Sequence, residues 1–174
     1  MRTRLDQLVT TALQQGSAVP AFTCYDFTTA LAVVGAAEDA GRGVILLVAP
    51  KTAATPNGLR LIAALRGLAD AASVPVAVQL DHASDLKVMA DAVAAGADSV
   101  LADGSSLPYE KNIALVREAR SLLGAAVVLE AEAADLIALM AIVAGIQQIQ
   151  SGFTEHADLL IEVAQLRHLR DLRQ

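Results

Sequence analysis

Residues 79–85, "QLDHASD", place Asp81 beside His82 in a chain that contains only three histidines. The pair follows the apolar run "VPVAV", which begins at Val74. A carboxylate next to an imidazole can bind a divalent metal, move a proton between reactants, or form a hydrogen-bonded structural pair. The residue types alone leave three interpretations open: a working metal site, the remains of one, and a structural pair.

Other polar residues recur at the same kind of position, the C-terminal end of a predicted strand. They are Thr23, Cys24, Asp26, Lys51, Asp103, Gly104, Ser105, Ser106, Glu130 and Glu132. In a parallel α/β fold this edge of the sheet is where ligands bind. Asp81, His82, Asp103 and Glu132 should therefore face one crevice, where one imidazole and three carboxylates suit a divalent metal. A purely structural role for His82, as a hydrogen-bonded histidine at a strand end, stays an alternative.

The elements that must position these residues alternate between strand and helix. Strands are predicted over residues 18–26, 43–50, 74–81, 98–104 and 125–133. Helices are predicted over residues 28–40, 59–72, 86–95 and 109–123, after an amphipathic helix within residues 1–16. Strands that are apolar on both faces and alternate with helices indicate a parallel sheet. Gly41, Gly96 and Gly124 each come where a helix should end before the next strand.

Composition narrows the range of partners and compartments. The net charge is -6 and there is no basic run, which excludes nucleic acid and anionic membrane surfaces as main partners. The single Cys24 cannot form an internal disulfide and suits a reducing compartment, so we expect a cytoplasmic protein. The N-terminal residues lack the apolar core of a signal peptide. The most apolar stretch, residues 136–146, is shorter than the roughly 20 residues of a membrane span.

Four stretches carry a family resemblance in order and register across residues 5–132. They are "LDQLVTTALQQGSAVPAFTCYDFTTALAVVGAAEDAGRGVILLVAP", "VPVAVQLDHASD", "DSVLADGSSLPYEKNIALVREA" and "VVLEAEA". Together they resemble the class II, metal-dependent fructose-bisphosphate and tagatose-bisphosphate aldolases, and the likeness resumes weakly at "GFTEHADLLIEVAQL". The resemblance implies a zinc-dependent TIM barrel of carbohydrate metabolism, such as glycolysis. Enzymes of this kind cleave ketose bisphosphates to dihydroxyacetone phosphate and an aldehyde.

The same resemblance implies roles for individual residues. His82 would be the first zinc ligand, and Asp103 and Glu132 would line the metal site. Asp81 would be the catalytic acid–base residue that serves the aldehyde oxygen. The candidate substrate-binding residues, for a sugar phosphate, are Thr23, Ser105 and Ser106.

The chain also departs from the family pattern. The family takes two further zinc histidines from strands six and seven, and it binds phosphate through glycine-rich loops near the last strands. Neither feature is predicted here, and His156 and His168 lie about three turns apart on one predicted helix, too far to hold one ion together. Three positions differ from the residues that the family pattern expects: Thr23 for asparagine, Ala49 for serine and Ser106 for histidine.

We therefore expect an α/β fold, a partial TIM barrel of about five parallel strands with outer helices and a helical C-terminal tail. It should form a single domain over residues 1–174, with aldolase-like β/α units in residues 1–133 and a divergent tail in residues 134–174. A full barrel takes roughly 250 residues, so an open sheet should self-associate into a homo-oligomer. Residues 136–146 should form a helix buried against the sheet or against a second copy.

Two functions remain open after this comparison. The first is a class II ketose-bisphosphate aldolase, an aldehyde lyase, that is truncated and weakly active or inactive alone. The second is a non-catalytic aldolase-like half-barrel that self-associates, whether a binding module, a regulatory module or a degenerate or engineered fragment. In either case the zinc site would be weak if it lacked the histidines that the family supplies later in its sequence.

Overall fold

The computed structural model describes residues 1–132. The predicted helical tail, the predicted burial of residues 136–146, and His156 and His168 all lie outside the described residues. The helices and strands follow one another in this order: α1 (Leu5–Gln14), β1 (Ala21–Thr23), α2 (Phe27–Asp39), β2 (Val44–Val48), α3 (Pro50–Ala53), α4 (Pro56–Ala71), β3 (Val76–Ala83), α5 (Leu86–Ala95), β4 (Ser99–Asp103), α6 (Tyr109–Leu123) and β5 (Val128–Glu132).

The sheet has five parallel strands whose spatial order, β1-β2-β3-β4-β5, is their order in the chain. This confirms the strand count and parallel direction that the alternating pattern predicts, and the strand order that the resemblance to a TIM barrel implies. Among the described strands, β1 and β5 are the edges, and β3 lies at the centre between two fully paired neighbours. Because all strands point the same way, their C-terminal ends lie together at one edge of the sheet.

The predicted and observed elements differ most at β1 and in the segment after β2, while other boundaries shift by one to three residues. The first strand is only three residues long, Ala21–Thr23, although the apolar character extends over residues 18–26. A short helix, α3, follows β2 directly, and α4 begins at Pro56 rather than at residue 59. Both helices start with a proline whose fixed φ suits the first turn, and Thr55 caps α4 by accepting a hydrogen bond from the Gly58 N–H.

The two faces of the sheet are covered in different ways. Alternate residues such as Leu46, Val78 and Val100 are fully buried in the main core, which the outer helices close. On the opposite face, Leu5 and Leu8 of α1 pack into a smaller apolar cluster. The strand residues of that cluster, Ile45, Ala77 and Val128, belong to the N-terminal parts of β2, β3 and β5. Helix α1 therefore closes the N-terminal end of this face and leaves the C-terminal strand ends available for a site.

The glycines that the sequence places at helix ends have the expected backbone conformation. Gly96 caps α5 with φ 122°, and Gly124 caps α6 with φ 72°. These are left-handed values that other L-residues rarely adopt, so glycine lets each helix end and turn into the next strand. Within residues 1–132, no helix has the length and apolarity that crossing a bilayer would require.

Two glycines of α4 give a matched test of the packing around this helix. A Cβ added at the buried Gly58 would overlap the Thr52 carbonyl oxygen, whereas one added at Gly67 would meet no atom within 4 Å. We expect Gly58→Ala to lower the free energy of unfolding by about 1–3 kcal/mol through overpacking. Gly67→Ala should raise it by about 0.5–1 kcal/mol, since alanine favours a helix interior. Urea unfolding of both variants checks this, and equal effects of the two substitutions would contradict the described α3–α4 packing.

Candidate metal and acid–base site

The predicted site residues lie at the C-terminal ends of three neighbouring strands. Asp81 and His82 are near the end of β3, Asp103 ends β4, and Glu132 ends β5. The β4–β5 register pairs Asp103 directly with Glu132, so their side chains start from adjacent positions on the same face. The sheet therefore brings one imidazole and three carboxylates to the same part of its edge, as the sequence predicts.

An irregularity in β3 explains how two consecutive residues both reach the site. Leu80 pairs with Val100 and Ala83 pairs with Ala102, so β3 uses one residue more than β4 between these pairs. Leu80 and Ala83 are both fully buried in the helix-covered core. In a regular strand, residues three apart point to opposite faces; the extra residue removes that constraint. Asp81 and His82 can thus both turn away from the core.

His82 itself takes the unusual conformation that this bulge requires. Its φ is 52°, and it is the only non-glycine residue with positive φ in the described part of the chain. Histidine tolerates the left-handed region better than most residues, but such a conformation still costs of order 1–3 kcal/mol. Strain of this kind persists only where the surroundings hold it, and it is found most often at functional sites.

The His82 imidazole lies among three carboxylates. Its Nδ1 is 3.3 Å from Asp103 Oδ2 and 2.6 Å from Glu132 Oε2, while its Nε2 is 3.7 Å from Asp81 Oδ1. Nδ1 is hydrogen-bonded to Asp103. The closer Glu132 oxygen lacks hydrogen-bond geometry and, although buried, has no hydrogen-bond partner among the described residues. One ring nitrogen is therefore crowded by two acceptors, of which it can serve only one.

The charges of the site perturb its titration. Burial lowers the pKa of His82, but the nearby carboxylates of Asp81, Glu132 and Asp103 outweigh it, so the pKa of His82 is raised above its ordinary value. The imidazolium form is thereby favoured when no other cation lies between these carboxylates.

Asp103 is held in place by Ser105, two residues later in the chain. Both the backbone N–H and the hydroxyl of Ser105 donate to Asp103 Oδ1, at 2.9 and 2.6 Å, which leaves Oδ2 directed at His82. Burial raises the pKa of Asp103, but the hydrogen bonds from Ser105 and the interaction with His82 hold the pKa of that carboxyl below its usual range. Asp103 therefore stays ionised and can act as a ligand.

The donor set fits a divalent metal. One atom each from His82, Asp103 and Glu132 can be chosen so that all lie within 4.8 Å of one another. Imidazole nitrogen and carboxylate oxygen are ligands that zinc accepts. The contacts of Asp103 Oδ2 and Glu132 Oε2 with a single imidazole nitrogen favour a cation here, because two carboxylates that meet at one point repel each other unless positive charge lies between them.

The three candidate substrate-binding residues do not all lie beside His82. Ser105 contacts Asp103, and its neighbour Ser106 is exposed. Thr23 ends β1, in register with Leu47, and is separated by β2 from the strand that carries His82. Their roles toward a substrate stay predictions.

Two further polar residues support the site without having been singled out in the sequence. Gln79 is 5% exposed and donates to Glu130 Oε2 at 2.9 Å, which links β3 to β5 across β4 on the same face. Asn112 of α6 donates to the backbone oxygen of Glu132 at 2.8 Å. Asn112 occupies the apolar stripe of α6, together with Leu115, Val116 and Ala119, and a polar residue on such a stripe is the signal that could have revealed it.

The chain is similar in sequence to known aldolases. The chain matches the family model "Fructose-bisphosphate aldolase class-II" over residues 3–160. The D-tagatose-1,6-bisphosphate aldolase subunit GatY of Klebsiella oxytoca is 39% identical over 106 residues, covering 61% of this chain and 37% of that subunit. The chain thus spans well under two thirds of the length of this relative.

Solved structures show the same fold. A protein of Coccidioides immitis assigned to the fructose-1,6-bisphosphate aldolases has 30% identity and a TM-score of 0.68, covering 74% of this chain and 45% of that chain. The YdjI aldolase of Escherichia coli K12 has 23% identity and a TM-score of 0.76, covering 84% of this chain and 58% of that chain. With five parallel strands in chain order, these likenesses confirm the expected TIM-barrel type of α/β fold.

The Ser105–Asp103 contact gives a pH-dependent prediction for chelator-treated protein. Because the folded-state pKa of Asp103 is lowered, its contribution to stability is present above the ordinary carboxyl pKa and is lost as pH falls through the folded value. Ser105→Ala removes one of the two hydrogen bonds to Oδ1. It should raise the pKa of Asp103 and lower the free energy of unfolding at neutral pH by about 0.5–1.5 kcal/mol, with the deficit shrinking in acid.

The matched control is Ser106→Ala, at the exposed neighbouring position. It should leave both the pKa of Asp103 and the unfolding free energy unchanged. Carboxyl-carbon NMR titration and urea unfolding across acidic pH are the measurements. If the two alanine variants behaved alike, Ser105 would not be holding Asp103 in solution.

Proposed function

The chain belongs to the class II fructose-bisphosphate aldolase family, and from this premise we propose that it supplies the metal-binding and acid–base part of an aldolase site. The reaction is the reversible cleavage of a ketose bisphosphate into dihydroxyacetone phosphate and an aldehyde. The observation that carries the proposal is the convergence of His82, Asp103 and Glu132 on one point, with Asp81 against the same imidazole. The β3 bulge gives this convergence a physical cause, since it turns Asp81 and His82 toward the same face.

Zinc is the proposed cofactor, held by His82, Asp103 and Glu132. When bound, zinc supplies Lewis-acid polarisation of the substrate carbonyl. The chain's own part is to hold the ligands: Ser105 fixes the Asp103 carboxylate, and the bulge fixes the His82 ring between Asp103 and Glu132. The contact between Glu132 Oε2 and the His82 ring supports this assignment, since it brings two of the proposed ligands together.

Asp81 is the proposed acid–base residue. In the cleavage direction its carboxylate accepts the proton from the substrate hydroxyl whose carbon becomes the aldehyde, as the adjacent carbon–carbon bond breaks. In the condensation direction the same carboxyl group returns that proton to the aldehyde oxygen. Its Oδ1 lies 3.7 Å from His82 Nε2, so the acid–base group and the proposed ligands adjoin one another.

The proposed substrate is a sugar phosphate, with Thr23, Ser105 and Ser106 as candidate contacts. The charged residues of the site in the described part of the chain are His82 and the carboxylates of Asp81, Asp103 and Glu132. Such a surface favours a metal and the reacting end of the substrate, and it repels phosphate groups. We therefore propose that cationic or backbone groups beyond these residues bind the phosphates, and that this chain alone is weakly active or inactive.

A non-catalytic, self-associating half-barrel is the second candidate. One observation favours it: within residues 1–132, β1 and β5 are open sheet edges, and Phe22 and Tyr25 near the β1 edge are 48% and 71% exposed. Further protein is expected to cover such edges, and a homo-oligomer would do so. A cytoplasmic location fits both candidates, because Cys24 is a buried free thiol.

The metal assignment predicts one zinc ion per chain. Isothermal titration calorimetry on chelator-treated protein should show this stoichiometry, with the affinity reduced at least about tenfold by His82→Ala, Asp103→Asn or Glu132→Gln. Asp91→Asn, which removes a carboxylate of α5 that pairs with Lys87, is the control and should bind zinc as the parent does. If all three site variants bound zinc as tightly as the parent does, the zinc would lie elsewhere in the protein.

The activity assignment predicts no more than trace cleavage of fructose or tagatose bisphosphate by the isolated chain. Coupled detection of dihydroxyacetone phosphate, with and without added zinc, measures it. Rapid zinc-dependent release that is lost on chelation and in His82→Ala would show that the isolated chain forms a complete site. Any trace activity should fall to background in Asp81→Asn, which keeps the size of the side chain but cannot accept the proton as a carboxylate does.

A further inference from the structure

The Asn112 side chain ties helix α6 to the end of strand β5 from behind the site. Asn112 is 2% exposed, and its Nδ2 donates a hydrogen bond of 2.8 Å to the backbone oxygen of Glu132. Glu132 is the residue whose carboxylate lies against His82. A buried amide in the helix layer is thus connected, through one backbone group, to a proposed metal ligand.

The same side chain also fits against the end of β4. A Cβ added at Gly104 would overlap the amide group of Asn112, so only a glycine next to Asp103 leaves room for it. The Oδ1 atom of Asn112 is buried and has no hydrogen-bond partner within residues 1–132. An apolar side chain could fill this space without a polar atom, so what the amide adds is its hydrogen bond to Glu132.

The Asn112 contact adds to the backbone hydrogen bonds that hold β5. Within residues 1–132, β5 pairs with β4, where Glu132 lies opposite Asp103. Asn112 supplies a second hold on the Glu132 backbone from the side of the helices.

We propose that Asn112 is a positioning residue that fixes Glu132 beside His82 and Asp103, and so sets the affinity of the site for its metal. The inference rests on the proposed zinc site and adds to it a residue outside the ligand set. Groups that orient metal ligands typically change metal affinity by 10–100-fold when they are removed. The predicted effect of losing Asn112 lies in that range.

The test compares Asn112→Leu with Val116→Ala. Leucine keeps the branched shape of asparagine but cannot donate to Glu132, and Asn112→Ser serves as a second, smaller variant that is too short to reach it. Val116 is a fully buried residue of the same helix, so Val116→Ala reports destabilisation of α6 without loss of the tether. Zinc affinity by calorimetry and thermal unfolding are measured for each.

The expected result is a 10–100-fold loss of zinc affinity in Asn112→Leu and Asn112→Ser. Val116→Ala should bind zinc within about twofold of the parent, even though its melting temperature falls. If the Asn112 variants kept the parent affinity while Asp103→Asn lost it, the positioning role would be overturned and the zinc site would stand.

Measurements on the metal-free protein distinguish a failure of this inference from a failure of the proposed function. In the apo-protein, amide hydrogen exchange across β5 and the carbonyl carbon shift of Glu132 are compared between the variants by NMR. Both should change more in Asn112→Leu than in Val116→Ala. If the parent bound no zinc, the proposed function would fail, and this comparison would still decide whether Asn112 holds the end of β5.

Discussion

The site depends on the one-residue bulge near the end of β3. The central strand must bury Leu80 and Ala83 in the same helix-covered core, which a regular strand cannot do with residues three apart. The extra residue resolves this conflict and frees Asp81 and His82 for the opposite face. The apolar burial of Leu80 and Ala83 thus fixes the direction of the polar pair, and the positive φ of His82 is its conformational cost.

Parallel pairing of β3, β4 and β5 brings the other site residues next to Asp81 and His82. Because β3, β4 and β5 run in the same direction and adjoin one another, the residues at their C-terminal ends are neighbours although they are far apart in sequence. Helix α1 closes the N-terminal end of the same face, so the apolar cluster and the polar site occupy opposite ends of one surface. The apolar core between the sheet and the outer helices stabilises the fold. The ionisable residues of the site lie at the C-terminal strand ends.

The electrostatics of the strand ends follow from this crowding. Three carboxylates around one imidazole favour any cation that can lie between them, whether the imidazolium itself or a metal. The Ser105 hydroxyl donates a hydrogen bond to the Asp103 carboxylate. The Asn112 amide donates one to the backbone oxygen of Glu132. The loop after β4 therefore supports the Asp103 carboxylate, and helix α6 supports the backbone of Glu132.

The strands, their parallel direction and the residues at their ends could be predicted from the sequence, because they follow from the spacing of apolar residues. Apolar runs and helix-ending glycines predict the strands and their parallel direction, and strand ends identify Asp81, His82, Asp103 and Glu132. The bulge could not be predicted, since no glycine marks it and the need for it arises only when β3 and β4 are packed together. Helix α3 could not be predicted because residues 49–56, "APKTAATP", are small residues, polar residues and prolines with no helical apolar pattern. The contact between Asn112 and Glu132 joins residues 20 apart in sequence and depends on how α6 packs, although the polar residue on its apolar stripe was visible.

We propose that His82, Asp103 and Glu132 hold one zinc ion. Anomalous diffraction at the zinc edge, from crystals grown with one equivalent of zinc, tests it most directly. We expect a single anomalous peak, bonded to the His82 ring and to carboxylate oxygens of Asp103 and Glu132 at about 2.0–2.2 Å. A peak elsewhere, or none at the β3–β5 strand ends with the zinc in excess, would contradict it.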